Sequence, residues 1–424
     1  MGTIIMGSIT TRQDINRKLE RIETADIVVG IPSFNNARTI GQVVRAVQAG
    51  LAKYFPDRKA VLVDSDGGST DGTVEVVRNT VIEDFQSILV PHRVESFLKM
   101  AVPYHGIPGK GSAFRTVFEI ASALNAKACA VVDSDLRSIT PEWVELLIKP
   151  VLYEGFDYTA PLYHRHKYDG TITNSIIYPL TRSLYGRRVR QPIGGDFGFS
   201  GKLAEFYLSK DVWQTDVARY GIDIWMTTEA IANGFKVSQA FLGAKIHDPK
   251  DPGSDLSAML YQVVGSAFSL METYHAAWKT VHGSQPVPTF GFQYEVGLEE
   301  VNVDVGRMLR LFREGVKNLG ELWVSVIGKG DFSELEAHAG RPDDEFRFSP
   351  ALWTRIVYDY ALAFHRKQLP PEHLLKSLTP LYLGRTASFV MEVRDRGQIE
   401  AEAEIENLCA EFEGNKEYLT ANWK

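Results

Sequence analysis

The chain has 424 residues, is 44% hydrophobic and 23% charged, and carries a formal net charge of −7. That length supports a large buried core and two or three domains, and an acidic balance without a long Lys/Arg block gives no footing for nucleic acid. Two cysteines, Cys129 and Cys409, rule out a disulfide scaffold and fit a reducing compartment.

No run approaches the roughly 18–20 apolar residues of a membrane span. The N-terminus, "MGTIIMGSITTRQDINRKLE", turns polar too soon for a signal peptide. A myristoylation signal needs Ser or Thr where Met6 stands. The expectation is a cytoplasmic globular protein whose N-terminal extension covers residues 1–24.

From Asp26 to about Asp248, short apolar runs alternate with helix-period segments. "ADIVVGIPSF" predicts a strand ending at Pro32, since proline cannot donate to a ladder. "TIGQVVRAVQAGLAKYF" spaces Ile40, Val43, Val44, Val47 and Leu51 on one helix face. "RKAVLVDSD" predicts a second strand, "TDGTVEVVRNTVIEDF" its helix and "SILVP" a third strand. "GKGSAFRTVFEIASALNA" is a helix opened by glycines, followed by a fourth strand in "KACAVVDSD". Such alternation implies crossover connections, hence an α/β fold with a mostly parallel sheet covered on both faces. Beyond a boundary near residues 250–256 the texture becomes helical, from "SAMLYQVVGSAFSLMETYHAAW" to "QIEAEAEIENLCAEFEGNKEYL", broken by "HGSQPVPTFGF".

The sequence Val-Asp-Ser-Asp ends two of the strands, at Asp64–Asp66 and Asp133–Asp135. Ligands of open α/β sheets collect beyond the carboxyl ends of the strands, so both copies face one crevice. Asp133 and Asp135, separated by one residue, suit a hard divalent cation that also meets phosphate oxygens, and His247 of "GAKIHDP" is a late third ligand. The first copy misplaces the glycine that an EF-hand requires. "PGKG" sets Lys110 at a helix start, where backbone amides and an ammonium favour a diphosphate, though the spacing is not that of a Walker A loop. "RQPIGGDFGFSG" lets a ligand approach the backbone, with Asp196 near a sugar hydroxyl or capping a helix. "YGIDIWMTTEA" places Asp223 and Glu229 at the start and middle of a helix.

In this order the motifs resemble the nucleotide-sugar domain of GT-A glycosyltransferases. More closely, "PGKG", "VVDSDLRSITPEWV", "DGTITNSIIYPLTRSLYG", "QPIGGDFGFSG", "YGIDIWMTTEA" and "AKIHDP" are similar to retaining mannosylglycerate synthases and glucosyl-3-phosphoglycerate synthases. The resemblance implies a GT-A nucleotide-sugar-binding and catalytic domain over residues 25–252, and the change of texture predicts a helical C-terminal domain over 253–424, where no motif carries the resemblance. The resemblance also implies that Pro32, Ser33 and Asn35 line the base and ribose, that Asp66 helps hold the base, and that Lys110, Asp133 and Ser134 meet the nucleotide part of the donor. Asp135 and His247, with Asp133, would hold Mg²⁺ or Mn²⁺. Gly194, Gly195 and Asp196 would cradle donor sugar and acceptor, Thr181 and Arg182 would take the acceptor carboxylate, and Asp196 and Glu229 would orient the acceptor.

The implied activity is transfer of glucose or mannose from a nucleoside-diphosphate sugar to a small hydroxy acid such as D-glycerate or 3-phosphoglycerate; the sequence does not set the oligomeric state, and a homodimer is one assembly that the helical C-terminal domains of such relatives form. "NNARTI" stands where the family carries acids, leaving the base open, and "HDPKD" offers only Lys250 as a base after the histidine, which favours a non-phosphorylated acceptor. The alternatives are a GT-A transferase with a polysaccharide or lipid-linked acceptor, and a non-catalytic nucleotide-sugar-binding protein.

Overall fold

A computed structural model describes residues 12–80, 97–103, 109–246, 257–294, 297–299 and 301–424. Among them the main strands are β1 (Ile27–Ser33), β2 (Ala60–Asp66), β3 (Phe97–Pro103), β4 (Ala128–Val131), β5 (Tyr158–His164), β6 (Phe197–Ser200), β7 (Val237–Ala244) and β8 (Thr289–Phe290). They form one sheet in the order β8-β7-β5-β6-β4-β1-β2-β3. β6 runs antiparallel to both neighbours, and the other pairings are parallel.

The apolar runs explain why both faces are covered. Along β1, Ile27, Val29 and Ile31 pack against α2 (Ile40–Tyr54) and α5 (Pro141–Leu152), which form the helical layer on one side. Val28 faces the other way, towards α4 (Lys110–Ala123). Gly30 belongs to that second face because α4 lies so close: a Cβ there would come within 2.4 Å of Val117 Cγ2.

The second face also carries the helical half of the chain. Its helices are α9 (Ser257–Thr273), α10 (Val305–Ala339), α11 (Pro350–His365), α12 (Pro371–Glu392), α13 (Gln398–Gly414) and α14 (Lys416–Asn422). Leu260, Phe268, Trp353 and Leu381 from this half share a continuous core with Phe114, Val117 and Trp225 of the sheet half. Full burial of each such side chain stabilises by roughly 1.5–3 kcal/mol, so the two halves support one another. α10 reverses at Gly328, whose φ of 78° lies in the left-handed region.

Two sequence expectations need correction, and a third falls outside the described residues. β1 continues through Pro32 to Ser33. The Gly30 carbonyl bonds Val132 and the Ser33 carbonyl bonds Gly67, so Pro32 faces the β4 side, where the ladder has already ended at Val131. Its missing N–H therefore breaks no ladder bond. The strand beside β2 is "FLKMAVP", β3, whereas "SILVP" lies outside the described residues. The break "HGSQPVPTFGF" supplies β8, which pairs with Gln239 and Ala240 of β7, so the later half contributes to the sheet edge.

Candidate functional site

Parallel strands deliver their carboxyl ends to one edge of the sheet, and the antiparallel β6 delivers its amino end to the same edge. Ser33, Asp66, Asp133, His164, Asp196 and Lys245 therefore meet there.

The first Val-Asp-Ser-Asp copy completes β2. Asp66 accepts hydrogen bonds from the Gly68 and Ser69 amides at 2.8 and 2.9 Å and from Ser69 Oγ at 2.5 Å. Ser33 Oγ donates to Asp64 Oδ1 at 2.6 Å and reaches Asp66 Oδ1 at 3.4 Å. Asn35, at a φ of 53°, donates its amide to Ser69 Oγ and accepts from the Thr70 amide, at 2.8 and 2.9 Å. The loops after β1 and β2 are thus stitched together, with Phe34 exposed at their rim. Asp64 Oδ2 is buried without a partner among the described residues. Burial, reinforced by the charge of Asp66 and opposed by Ser33, pushes its carboxyl up to about 7.

The second copy lies just past β4 and is tied to the first. Ser134 Oγ donates to Asn36 Oδ1 at 2.8 Å, and the Ser134 carbonyl accepts from Thr39 Oγ1 at 2.8 Å. Asp133 is held by two ammonium groups, Lys110 Nζ at 2.8 Å and Lys245 Nζ at 2.7 Å. Lys245 also pairs with Asp196 Oδ2 at 2.7 Å and donates to the Gly194 carbonyl at 2.8 Å. Asp196, fully buried, accepts from the Asp133 amide at 2.7 Å and from the Tyr163 hydroxyl. Lys110 reaches Asp223 Oδ2 at 3.2 Å, in the first turn of α8 (Ile222–Ala232), while Asp223 Oδ1 is buried without a described partner.

Two ammonium groups among three carboxylates leave one excess negative charge. Burial alone would raise the Asp133 carboxyl, but Lys110 and Lys245 outweigh it and hold it well below the usual range. Asp196 and Asp223 are instead raised, chiefly by burial, with the charge of Asp133 adding to it against the lysines. Both lysines are raised because their carboxylate partners overcome burial. Desolvation offsets much of the attraction in such pairs, so they are weak devices for stability. Groups pushed apart in this way at the carboxyl edge of a sheet are what charge-handling chemistry requires.

Gly195, at a φ of 92°, passes directly over this cluster: a Cβ would lie 2.3 Å from Asp133 Oδ2 and 3.1 Å from Lys110 Nζ. With Gly194 it keeps the backbone open beside the charges, as the glycine-rich motif suggests.

The structure places several of the expected site residues away from the Asp133 cluster. Arg182, 6% exposed in its side chain, is clamped by Glu406 and by Glu413 at 2.8 Å from α13, so its guanidinium is already committed. Thr181 Oγ1 donates to the Ile177 carbonyl at 2.7 Å, within its own helix. Glu229 faces Lys210 at 3.6 Å and Asn233 Nδ2 at 3.2 Å, further along α8 and apart from the Asp133 cluster. Of the predicted metal ligands, Asp133 has both oxygens engaged by lysines. Asp135 is half-buried with no partner among the described residues, and its hard oxygens fit a divalent cation. His247 lies outside the described residues, within which no three His, Cys, Asp or Glu side chains form a metal cluster.

Lys245 and Asp223 are the members that motif reading passes over as site residues. Lys245 stands two positions before the flagged histidine, where a lone lysine after an apolar run reads as surface. Asp223 is overshadowed by Glu229 on the same helix, although only the first turn of that helix reaches the edge.

Residues 28–213 match Glycosyl transferase family 2. This segment is a family 2 glycosyltransferase domain. Its sheet is mostly parallel, and the chain is a glycosyltransferase. A glucosyl-3-phosphoglycerate synthase from Petrotoga mobilis is 25% identical over 278 residues, spanning 61% of this chain and 77% of that one. Among solved structures, glucosyl-3-phosphoglycerate synthase from Mycobacterium tuberculosis with Mn²⁺, UDP and glucosyl-3-phosphoglycerate has a TM-score of 0.43 and 23% identity, over 60% of this chain and 83% of that one. The same enzyme with Mg²⁺ and UDP has a TM-score of 0.43 and 22% identity, over 60% and 82% of the two chains. No described helix of the glycosyltransferase is long and apolar enough to cross a membrane.

Proposed function

We propose that this glycosyltransferase moves a hexose from a nucleoside-diphosphate sugar to a small hydroxy acid of the glycerate type, with retention at the anomeric carbon. The observation that carries the reading is the buried Lys110–Asp133–Lys245–Asp196 chain under Gly195, at the edge where both Val-Asp-Ser-Asp copies meet. The Petrotoga relative, named for 3-phosphoglycerate, supports the acceptor class.

The two copies take different parts of the donor. The Ser33, Asn35 and Asp66 loops receive the nucleoside. Lys110, opening α4, lies where charge develops on the leaving diphosphate, and a fixed ammonium in a site of low dielectric stabilises it strongly. Asp135 and His247 would hold Mg²⁺ or Mn²⁺, which when bound supplies further neutralisation of the diphosphate. Asp133 instead fixes both lysines. The acceptor hydroxyl oxygen forms a bond to the anomeric carbon as the bond to the diphosphate oxygen breaks, and the hydroxyl proton leaves to the departing phosphate. Asp223, with its unpartnered oxygen, replaces Glu229 as the acid that orients sugar or acceptor.

Arg165 takes the acceptor role first given to Arg182. Its guanidinium lies 5.1 Å from the Tyr163 ring centroid, as does Lys245 Nζ, so it borders the charged cluster. Its Nε is buried without a partner among the described residues, and a carboxylate is the natural complement to that donor.

The test is turnover of a panel of nucleotide sugars with D-glycerate or 3-phosphoglycerate and Mg²⁺ or Mn²⁺, followed by nucleoside diphosphate release, product mass and the anomeric NMR signal. A glycerate-dependent product that Asp135→Ala abolishes is expected. Donor hydrolysis or binding with no transfer to either acid would sink the acceptor assignment, and an inverted product would sink retention.

A further inference from the structure

The helical half has no part in the chemistry so far, yet it grips one particular segment of the sheet half. That segment runs from the end of β5 through a π-helical turn, Thr173–Ile177, into α6 (Tyr178–Tyr185). Its first anchor is Lys167, whose ammonium donates to the carbonyls of Val393, Arg394 and Arg396 at 2.7, 2.8 and 2.7 Å. These carbonyls follow the last turn of α12, where intrahelical donors run out and the helix dipole presents its negative end. An ammonium has three donors, and here all three are spent on one target. Further along, Thr171 Oγ1 meets Tyr382 Oη at 2.5 Å, and the Ser175 carbonyl accepts from Trp353 Nε1 at 2.7 Å. Extra-residue turns of the π kind recur at functional sites, and this one is held from outside.

The anchoring matters because of what flanks it. Arg165 stands two residues before Lys167 and Asp169 two residues after, and the pair close the loop with Arg165 Nη1 at 3.3 Å from Asp169 Oδ2. The Asp169 carbonyl in turn accepts from Asn174 Nδ2 at 3.0 Å, which joins the loop to the π turn. Lys167 is too occupied to touch a ligand, so any influence it has on transfer acts through the placement of Arg165.

We propose that Lys167 is a positioning residue: by fastening the Arg165–Asp169 loop to the end of α12, it makes the helical half set the acceptor side of the transfer site. The inference rests on the reading that Arg165 receives the acceptor carboxylate. The donor side, built from the loops after β1 and β2, has no comparable tie in the contacts described above and is independent of the brace.

The experiment compares the full chain with Lys167→Met, Lys167→Arg, Tyr382→Phe and Arg165→Met, using the nucleotide sugar that supports turnover and D-glycerate or 3-phosphoglycerate as acceptor probes. Lys167→Met is expected to raise the acceptor KM about tenfold, with kcat within about threefold and donor KM unchanged, because a shifted loop misplaces the acceptor. Lys167→Arg should recover most of the loss, since a guanidinium still donates to the carbonyls. Amide hydrogen exchange should quicken across residues 165–177 in Lys167→Met and not across residues 33–36.

An acceptor KM unchanged by Lys167→Met but raised by Arg165→Met overturns the brace and keeps the acceptor reading. If neither variant moves it, the acceptor reading has failed and the brace falls with it. Equal rises in donor and acceptor KM mark a general loss of structure and also overturn the proposal. Should Lys167→Met not fold, Tyr382→Phe decides by the same readouts: a smaller rise confined to the acceptor supports the brace, and no rise overturns it.

Discussion

Asp64–Asp66 and Asp133–Asp135, each with its preceding valine, are the same four-residue phrase at the ends of the two strands that flank β1 in one sheet, and they end in opposite electrostatic conditions. In the first, the strand runs through both acids, so Asp64 is sealed inside the ladder and Asp66 is satisfied by neutral donors, two amides and a hydroxyl. In the second, β4 stops at Val131 before either acid, and Asp133 projects among Lys110 and Lys245. Four residues of strand length decide whether an acid reads a neutral ligand surface or organises charge. Identical local sequence therefore carries different chemistry, because the difference comes from residues brought in by α4, β6 and β7.

The comparison breaks most sharply at Lys245. Replacing it with methionine leaves Asp133 and Asp196 with a buried charge uncompensated, which costs about 3–5 kcal/mol. Chemical denaturation should register that loss, and kcat should fall at least about a hundredfold as Lys110 and Asp133 shift. Stability close to that of the parent would mean the ammonium is not what holds the cluster. Gly195→Ala is next: at a φ of 92° and 2.3 Å from Asp133 Oδ2, the new methyl must displace the Lys110–Asp133 pair. A loss of about 1–2 kcal/mol from the left-handed backbone is expected, with kcat/KM reduced roughly tenfold or more. Arg182→Met belongs to neither copy and should show the contrast. Releasing Glu406 and Glu413 costs about 2 kcal/mol, since both are partly exposed, while the acceptor KM should stay at the parent value. A raised acceptor KM would restore the acceptor role that the α13 clamp argues against.

Much of this was legible in the sequence, for reasons that differ by element. β1, β2, β4, α2 and α4 follow from apolar runs and 3.6-residue spacing, which depend on neighbours along the chain. The Asp133 pair, Lys110 and the Gly194–Gly195 step follow from motifs at strand ends, where topology guarantees convergence. Lys245 could not be weighed in that way, because its partners Asp133 and Asp196 come from β4 and β6 and only the sheet order unites them. The surroundings of Arg182 were hidden for the complementary reason: nothing local announces that α13, more than 200 residues later, supplies two carboxylates to it. Pro32 misled because proline excludes a strand only where its amide has a ladder partner to lose.

The smallest effect, and the one that separates the two copies most cleanly, is the pH response of Asp64. Its carboxyl is pushed up to about 7 by burial, against an ordinary value of 3.8. The folded state therefore binds a proton that the unfolded state has released across that interval, and stability contributed by this group falls as pH rises from about 4 to about 7, by at most about 1.4 kcal/mol per pH unit. The sign is opposite for Asp133, whose depressed carboxyl adds stability above the usual carboxylate range and loses it in acid. Asp64→Asn keeps an oxygen for Ser33 Oγ and removes the ionisation. Unfolding measured at pH 3.5 and pH 8 should then show the variant gaining at least about 1–2 kcal/mol over the parent at pH 8 and little at pH 3.5. An equal gain at both pH values would assign the effect to packing rather than to charge, and no gain at either would mean that Asp64 finds a cationic partner and ionises as Asp133 does.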